Sequence, residues 1–144
     1  VKAYILKYLG KEVLELISLT EKEFPLFAAG RNFCASHSAP KKYYSEEEIL
    51  NYRNNPDAVE GLTWTSENGY RKGCIQETLR YFTDNQYKEE SVYLAGHRPV
   101  SGSYNLKEEG KLVYFHNPNI QQVAVLRTER GFNPETDIFS LAWP

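Results

Sequence analysis

Apolar residues within positions 1–24 recur at the spacing of an α-helix. These apolar positions are Ile5, Leu6, Leu9, Val13, Leu14, Leu16 and Ile17. Because Gly10 interrupts the pattern and Pro25 follows it, we predict one or two helices that end before Pro25. Residues 31–44 carry no such periodicity and are predicted to be a connection.

A second helical signal begins at Ser45, which three glutamates follow. This is the capping-box pattern, in which the Ser45 hydroxyl accepts from the Glu48 amide and the Glu48 carboxylate accepts in return. We therefore predict a helix that runs to about Arg53. Residues 61–70, rich in Gly, Ser and Asn, predict a turn region, and residues 72–82 predict an amphipathic helix.

Beyond Ser91 the apolar spacing changes to the period of two that is typical of strands. The predicted strands are residues 92–94, 102–106, 111–116 and 122–127, with residues 138–143 closing the chain. The pattern predicts an α+β protein with an antiparallel C-terminal sheet of three or four strands. We divide it into a helical region, residues 1–60, and a helix-plus-sheet part, residues 61–144, within one compact domain.

Composition narrows the function classes. The 144 residues are 41% hydrophobic and have a formal net charge of −2. Nucleic-acid binding through bulk electrostatics needs a basic surplus, so any such contact here must depend on a local group of cations. No stretch approaches the roughly 18 consecutive apolar residues of a membrane span, and no stable membrane insertion is expected. The chain starts at Val1 without a signal-peptide pattern, and we interpret it as a processed product or a domain cut from a longer chain.

Cysteines and histidines are few. Cys34 and Cys74 do not form a CxxC pair, and His37, His97 and His116 are widely spaced. These spacings indicate no zinc motif, and neither a metal nor a cofactor is predicted. Cys34 and His37 lie three residues apart without the third orienting group that thiol catalysis uses.

The C-terminal third carries a resemblance to a known family. Residues 102–119 read Gly-Ser-Tyr-Asn-Leu-Lys-Glu-Glu-Gly-Lys-Leu-Val-Tyr-Phe-His-Asn-Pro-Asn, followed by Val123-Ala124-Val125 and the ending Phe139-Ser140-Leu141-Ala142-Trp143. This stretch resembles the C-terminal half of the colicin D catalytic domain, one of the barnase-like toxin ribonucleases that include toxic domains of contact-dependent growth inhibition proteins. The resemblance implies N-terminal helices packed on a twisted antiparallel sheet.

The resemblance also implies an activity and its partners. It implies metal-independent cleavage of tRNA by 2′-hydroxyl attack, and neutralisation by a cognate immunity protein. It implies secretion or cell-surface delivery as part of a larger toxin that acts in the cytoplasm of the target cell. The sequence departs from the family in two places. Arg71 and Lys72 stand without a histidine where the family has a Lys/His cluster, and Ser140 and Trp143 have two residues between them instead of one.

Cleavage by 2′-hydroxyl attack needs a base, an acid and cations that stabilise the phosphorane. His97 is the first candidate for acid or base, because Gly96 and Pro99 flank it and expose it between two predicted strands. The other catalytic candidates are Arg71 and Lys72 at a predicted helix start, and Ser140 on the last strand, as groups that hold a phosphate. The candidates for substrate binding are Arg98, Lys111, Tyr104 and Trp143.

Two alternatives use other residues or no catalysis at all. His116 could be catalytic, although a histidine at a strand end beside a turn is more often structural. The ending, with a hydroxyl, an aromatic residue and Pro144, is also similar to that of ribonuclease-A-like toxins, which need a histidine near the N-terminal helices, and His37 is the candidate. The Tyr-rich, slightly acidic composition equally suits a non-enzymatic immunity or protein-binding module.

Overall fold

The computed structural model describes residues 1–87, 89–127 and 129–141. Its helices are α1 (Lys2–Tyr8), α2 (Lys11–Lys22), α3 (Glu46–Leu50), α4 (Pro56–Thr63), α5 (Cys74–Phe82) and α6 (Pro134–Asp137). Its strands are β1 (Phe27–Gly30), β2 (Phe33–Ser36), β3 (Val92–Ala95), β4 (Asn105–Lys107), β5 (Leu112–Tyr114), β6 (Gln122–Ala124) and β7 (Ile138–Ser140). Short 3₁₀ turns occupy Tyr52–Asn54, Asn85–Tyr87 and Glu108–Gly110. The α+β class is confirmed.

Within the described ranges, five strands form the main sheet in the order β1-β2-β3-β5-β4. β1 with β2 and β4 with β5 are antiparallel, whereas β2 with β3 and β3 with β5 are parallel. The prediction of an antiparallel sheet is therefore wrong for its central strands. The physical reason is the length of the connections, since residues 37–91, between β2 and β3, and residues 96–111, between β3 and β5, each form a crossover long enough to return the chain in the same direction. β6 and β7 pair separately and antiparallel.

Residues 27–36 form an antiparallel hairpin, with Ala28 opposite Ala35. The prediction that residues 31–44 form only a connection is wrong, and residues 1–60 are not purely helical. The strand sequences, Phe-Ala-Ala-Gly and Phe-Cys-Ala-Ser, lack the β-branched residues that mark strands. Tertiary contacts decide their state, because β2 lies between β1 and β3 with Cys34 completely buried.

The predicted helix at Ser45 is confirmed with both hydrogen bonds of the capping box, although α3 already ends at Leu50. α4 begins after Asn55, whose side chain caps the helix, and continues to Thr63 into the segment predicted as a turn. Gly61 of α4 lies against the buried ring of Tyr44. A methyl group at Gly61 would overlap the Tyr44 hydroxyl and lie 2.7 Å from Cζ.

The main sheet is covered on both faces. On one face, buried side chains of β2, β3 and β5 pack against α5; they are Cys34, Tyr93, Ala95, Leu112, Tyr114, Cys74, Ile75 and Leu79. On the other face, residues of β3 and β5 pack against the C-terminal segment; they are Val92, Leu94, Val113, Ala124, Leu126, Phe132 and Ile138. Successive side chains of β3 and β5 thus point alternately to the two faces of the sheet. No helix in the described part of the chain is long and apolar enough to cross a bilayer.

Asp137 holds the C-terminal segment together. Its carboxylate accepts hydrogen bonds from the guanidinium of Arg130 and, at 2.9 Å, from the amide of Asn133, with Arg127 Nε at 3.4 Å. The Asp137 side chain is 1% exposed and both arginine side chains are 41% exposed. The bonds from Arg130, reinforced by the Asn133 amide, lower the pKa of Asp137 from 3.8 to about 2, against the opposing effect of burial.

Replacing Asp137 with Asn should lower the free energy of unfolding at neutral pH by about 1–2 kcal/mol. The loss stays this small because the two arginines are partly exposed and can hydrogen-bond to water instead. Because the pKa of Asp137 is lower in the folded state, its negative charge contributes fully to the stability of the fold above about pH 4. This contribution is lost as the pH falls through about 2. Urea denaturation should show the difference between Asp137→Asn and wild type shrinking between about pH 4 and pH 2. Glu135→Gln, an exposed carboxylate in the same helix, is the control and should change stability by less than about 0.5 kcal/mol. A difference independent of pH would contradict this assignment.

Candidate functional site

The three histidines of the chain meet at one edge of the main sheet. His37 follows β2, His97 lies two residues after β3, and His116 lies two residues after β5. These strands are parallel and their last residues are in register, so their carboxyl ends reach the same edge. Two backbone hydrogen bonds continue the strand pairing beyond the strand ends. The Gly96 N–H donates to the His37 carbonyl at 3.0 Å, and the Phe115 N–H donates to the Ala95 carbonyl at 3.3 Å.

The histidines open into a cleft of about 750 Å³ between the sheet edge and the β6–β7 pair. Residues that line this cleft include His37, His97, His116, Asn117, Gln122 and Leu141. Asn117 is buried, and its side chain shapes the wall by donating to the Gly102 carbonyl and accepting from the Asn119 amide. We call this space the histidine cleft.

His37 and His97 form a hydrogen-bonded pair, with His37 Nε2 3.0 Å from His97 Nδ1. Burial, followed by electrostatic repulsion from Arg98 and then from the neighbouring histidines, lowers the pKa of His97. His97 is therefore neutral at pH 7, with one ring nitrogen that donates and one that accepts. If its Nδ1–H donates to His37, its Nε2 is free to take a proton.

The backbone holds His97 in an uncommon conformation. Its φ of 57° lies in the left-handed region, and the Arg98 N–H bonds the Gly96 carbonyl at 2.6 Å to close a three-residue turn. A non-glycine residue in this region costs on the order of 1 kcal/mol, which the surrounding structure must offset. This tight turn places the His97 ring beside His37 and beside the indole of Trp64.

Trp64 and Arg98 complete the cluster around His97. The Trp64 and His97 rings are 5.1 Å apart, edge to face, and the Arg98 guanidinium lies 3.3 Å from the Thr65 carbonyl through two nitrogens. Arg98 thus contacts the residue next to Trp64 and stands beside His97 in sequence. Of the candidates taken from the sequence, His97 lines the histidine cleft, and Arg98 is its neighbour in the chain but does not line the cleft.

Arg71 and Lys72 lie elsewhere. The Arg71 guanidinium pairs with the Glu77 carboxylate. Lys72 lines a second cavity, of about 430 Å³, together with Gln76, Arg80, Glu108 and Glu109. Neither residue lines the histidine cleft.

The remaining candidates are spread over the fold. Lys111 precedes β5, at the end opposite to His116, and donates to the Glu89 carbonyl at 2.6 Å. Tyr104 is half-buried against the Val113 side of the sheet. Ser140 is exposed on β7, opposite Gln122, beside the cleft residue Leu141. Trp143 lies outside the described residues.

Sequence reasoning missed His37 as the partner of His97 and did not consider Trp64. One signal was available for the histidines: each directly follows a short segment of small or apolar residues, namely Cys34-Ala35-Ser36, Leu94-Ala95-Gly96 and Val113-Tyr114-Phe115. If these runs are parallel strands, the histidines converge. No corresponding signal marks Trp64, whose position depends on how α4 docks.

The cysteines do not supply a nucleophile. Cys34 and Cys74 are unpaired and buried, and burial raises their pKa values to about 12 and about 11. Both thiols are therefore protonated at neutral pH, whereas thiol chemistry uses the thiolate. Within the described residues, no group of three or more His, Cys, Asp or Glu side chains is arranged to hold a metal ion.

No protein-family model matches the chain, and no curated protein matches it.

Proposed function

We propose that the chain is a metal-independent endoribonuclease that cleaves RNA by 2′-hydroxyl attack at the histidine cleft. The observation that carries the proposal is the His37–His97 pair, 3.0 Å apart, with His116 lining the same cleft. Acid–base cleavage of RNA needs one group that accepts a proton and another that donates one. A neutral His97 and a second histidine in the same cleft meet that need.

In the proposed reaction, His97 is the general base and His37 is its positioning residue. His97 Nδ1–H donates to His37 Nε2, and His97 Nε2 takes the 2′-hydroxyl proton. The 2′ oxygen then forms a bond to phosphorus while the bond from phosphorus to O5′ breaks. His116 acts as the general acid and gives a proton to the leaving O5′, so the products are a 2′,3′-cyclic phosphate and a 5′-hydroxyl.

Arg98 supplies fixed positive charge at the reaction. Its guanidinium has five N–H groups, of which those on two nitrogens face the Thr65 carbonyl. The remaining N–H groups are available to a phosphate oxygen, where charge develops in the transition state. This local cation is the kind of contact that a chain of net charge −2 requires for RNA.

We propose tRNA as the substrate and a cognate immunity protein as the partner, in a toxin delivered by a larger secreted or surface protein. These parts rest on the resemblance of residues 102–143 to colicin D-like domains. The ribonuclease-A-like alternative also relies on His37 and predicts the same cyclic-phosphate product.

Incubation with total tRNA in excess EDTA tests the proposal. We expect discrete fragments that carry 2′,3′-cyclic phosphate and 5′-hydroxyl ends, identified by end-group mapping and mass spectrometry. A DNA oligonucleotide of the cleaved sequence is the matched control and should stay intact, because it lacks the attacking hydroxyl. A tRNA pool that remains intact at equimolar protein would contradict the proposal.

The second candidate is a non-enzymatic protein-binding module. It is favoured by the large apolar side chains that the N-terminal helices leave exposed, among them Tyr4, Tyr8, Leu16 and Leu19. This candidate predicts that total tRNA stays intact whether or not the histidines are present.

A further inference from the structure

Trp64 is an exposed aromatic side chain beside the proposed base. Trp64 is 71% exposed, although the large apolar indole is among the side chains whose burial stabilises a protein most. Its ring centroid is 5.1 Å from that of His97, and one edge-to-face contact leaves much of the indole surface open. Trp64 does not line the histidine cleft itself, but its exposed indole contacts the cleft residue His97 and is therefore available to a flat ligand that extends from the cleft.

The backbone that carries this indole is fixed, so Trp64 does not sit on a free loop. Trp64 terminates α4, and its N–H donates to the Glu60 carbonyl at 2.8 Å. The next residue, Thr65, is buried; its N–H donates to Ser38 Oγ at 3.2 Å and its hydroxyl to the Gly61 carbonyl at 2.8 Å. These bonds hold the backbone that carries the indole in one place before any ligand arrives, which lowers the entropic cost of binding.

The same anchoring joins Trp64 to the charged part of the site. The Thr65 carbonyl accepts from Arg98, the residue that we assign to the phosphate. His97, Arg98 and Trp64 therefore form one connected unit with a proton acceptor, a cation and an aromatic face. A nucleotide presents the three matching groups, since its ribose carries a hydroxyl, a phosphate and a base.

We propose that Trp64 is a nucleobase-stacking subsite for a nucleotide adjacent to the cleaved phosphate. This rests on the proposed function, because RNA must occupy the histidine cleft. Stacking on an indole is tolerant of base identity, since every base has a π face. Trp64 thus contributes affinity and register, and it does not read the Watson–Crick edge of the base.

The test uses the full chain and a fluorescein-labelled, single-stranded 2′-O-methyl RNA of mixed sequence. This probe cannot be cleaved by 2′-hydroxyl attack, so fluorescence anisotropy reports binding alone. We expect Trp64→Ala to raise Kd by about 10-fold or more, and Trp64→Phe to retain most of the affinity. Tyr81→Ala is the matched control, because Tyr81 is an exposed aromatic on α5 that contacts Tyr43, and its Kd should stay within about twofold of wild type.

A set of probes that each carry one abasic position sharpens the test. At one position, removal of the base should raise the Kd of wild type by the same factor as the Trp64→Ala substitution does. At that position it should not raise the Kd of Trp64→Ala any further. Circular dichroism should show all variants folded, since Trp64 and Tyr81 are largely exposed. A Kd for Trp64→Ala within about twofold of wild type, or no binding of the probe by wild type, would overturn the subsite.

The outcomes separate this inference from the proposed function. If wild type leaves tRNA intact but Trp64→Ala weakens probe binding, the stacking subsite is supported and the nuclease proposal fails. If wild type cleaves tRNA and Trp64→Ala binds the probe and cleaves as wild type does, the nuclease proposal is supported and the stacking subsite fails.

Discussion

Replacing His97 with Asn should lower kcat/KM for RNA cleavage by about 10³-fold, in the range that removal of a general base usually produces. Asn is the sharper choice than Ala because it tolerates the left-handed backbone at His97, where φ is 57°. His97→Ala should lose activity to the same extent and lose about 1 kcal/mol of stability in addition. The measurement is the initial rate of tRNA cleavage under subsaturating conditions.

Arg53→Ala is the matched control for this experiment. Arg53 is an exposed cation next to Tyr52, in a short 3₁₀ turn away from the histidine cleft, and its loss should leave cleavage unchanged. Lys72→Ala decides between the two cavities. If Lys72→Ala abolished cleavage and His97→Asn retained it, the reaction would belong to the second cavity, which Lys72 lines, and the assignment of His97 would be wrong.

Replacing Gly61 with Ala should destabilise the protein by about 2–3 kcal/mol, a large fraction of the stability of a small domain. Alanine in a helix interior gains up to about 1 kcal/mol over glycine, but the added methyl group would overlap the Tyr44 hydroxyl. Tyr44 is buried and donates to the Asp57 carbonyl at 3.0 Å, so it cannot move aside without losing that bond. Overpacking therefore outweighs helix propensity. Thermal or urea unfolding measures the change.

Gly102→Ala is the control, because a methyl group there would meet open space. Its effect should stay within about 0.5 kcal/mol. A second variant, Gly61→Ala with Tyr44→Phe, removes the overlapping hydroxyl and should be less destabilised than the two single changes sum to. Equal stabilities of Gly61→Ala and wild type would contradict the close approach of Tyr44.

The elements with strong local signals could be predicted from the sequence. The capping box at Ser45 and the amphipathic run that became α5 have local causes, and so do the short strands around Val92 and Val113. β1 and β2 could not be predicted in this way, because small residues such as Ala28 and Ala35 carry little strand propensity. Their strand state comes from pairing in the sheet.

The direction of each strand was the decisive unknown for the site. A period of two shows that residues such as Leu94 and Val113 lie in strands, but it is the same for parallel and antiparallel neighbours. With antiparallel strands, His97 and His116 would emerge at opposite edges. Because β3 and β5 are parallel, they emerge together. His97 and Arg98 were accessible to sequence reasoning as neighbours in the chain, whereas the partner His37 required the sheet order.

The order of the parallel strands also sets when during synthesis the protein can become active. The histidine cleft needs β2, β3 and β5, which lie at residues 33–36, 92–95 and 112–114. Pairing between such distant segments is slower than helix formation and follows the emergence of the last strand from the ribosome. A nascent chain that ends before β5 lacks His116 and has no closed sheet edge. If the histidine cleft cleaves RNA as proposed, the RNA of the producing cell stays intact until β5 and His116 have left the ribosome, which gives a binding partner time to act.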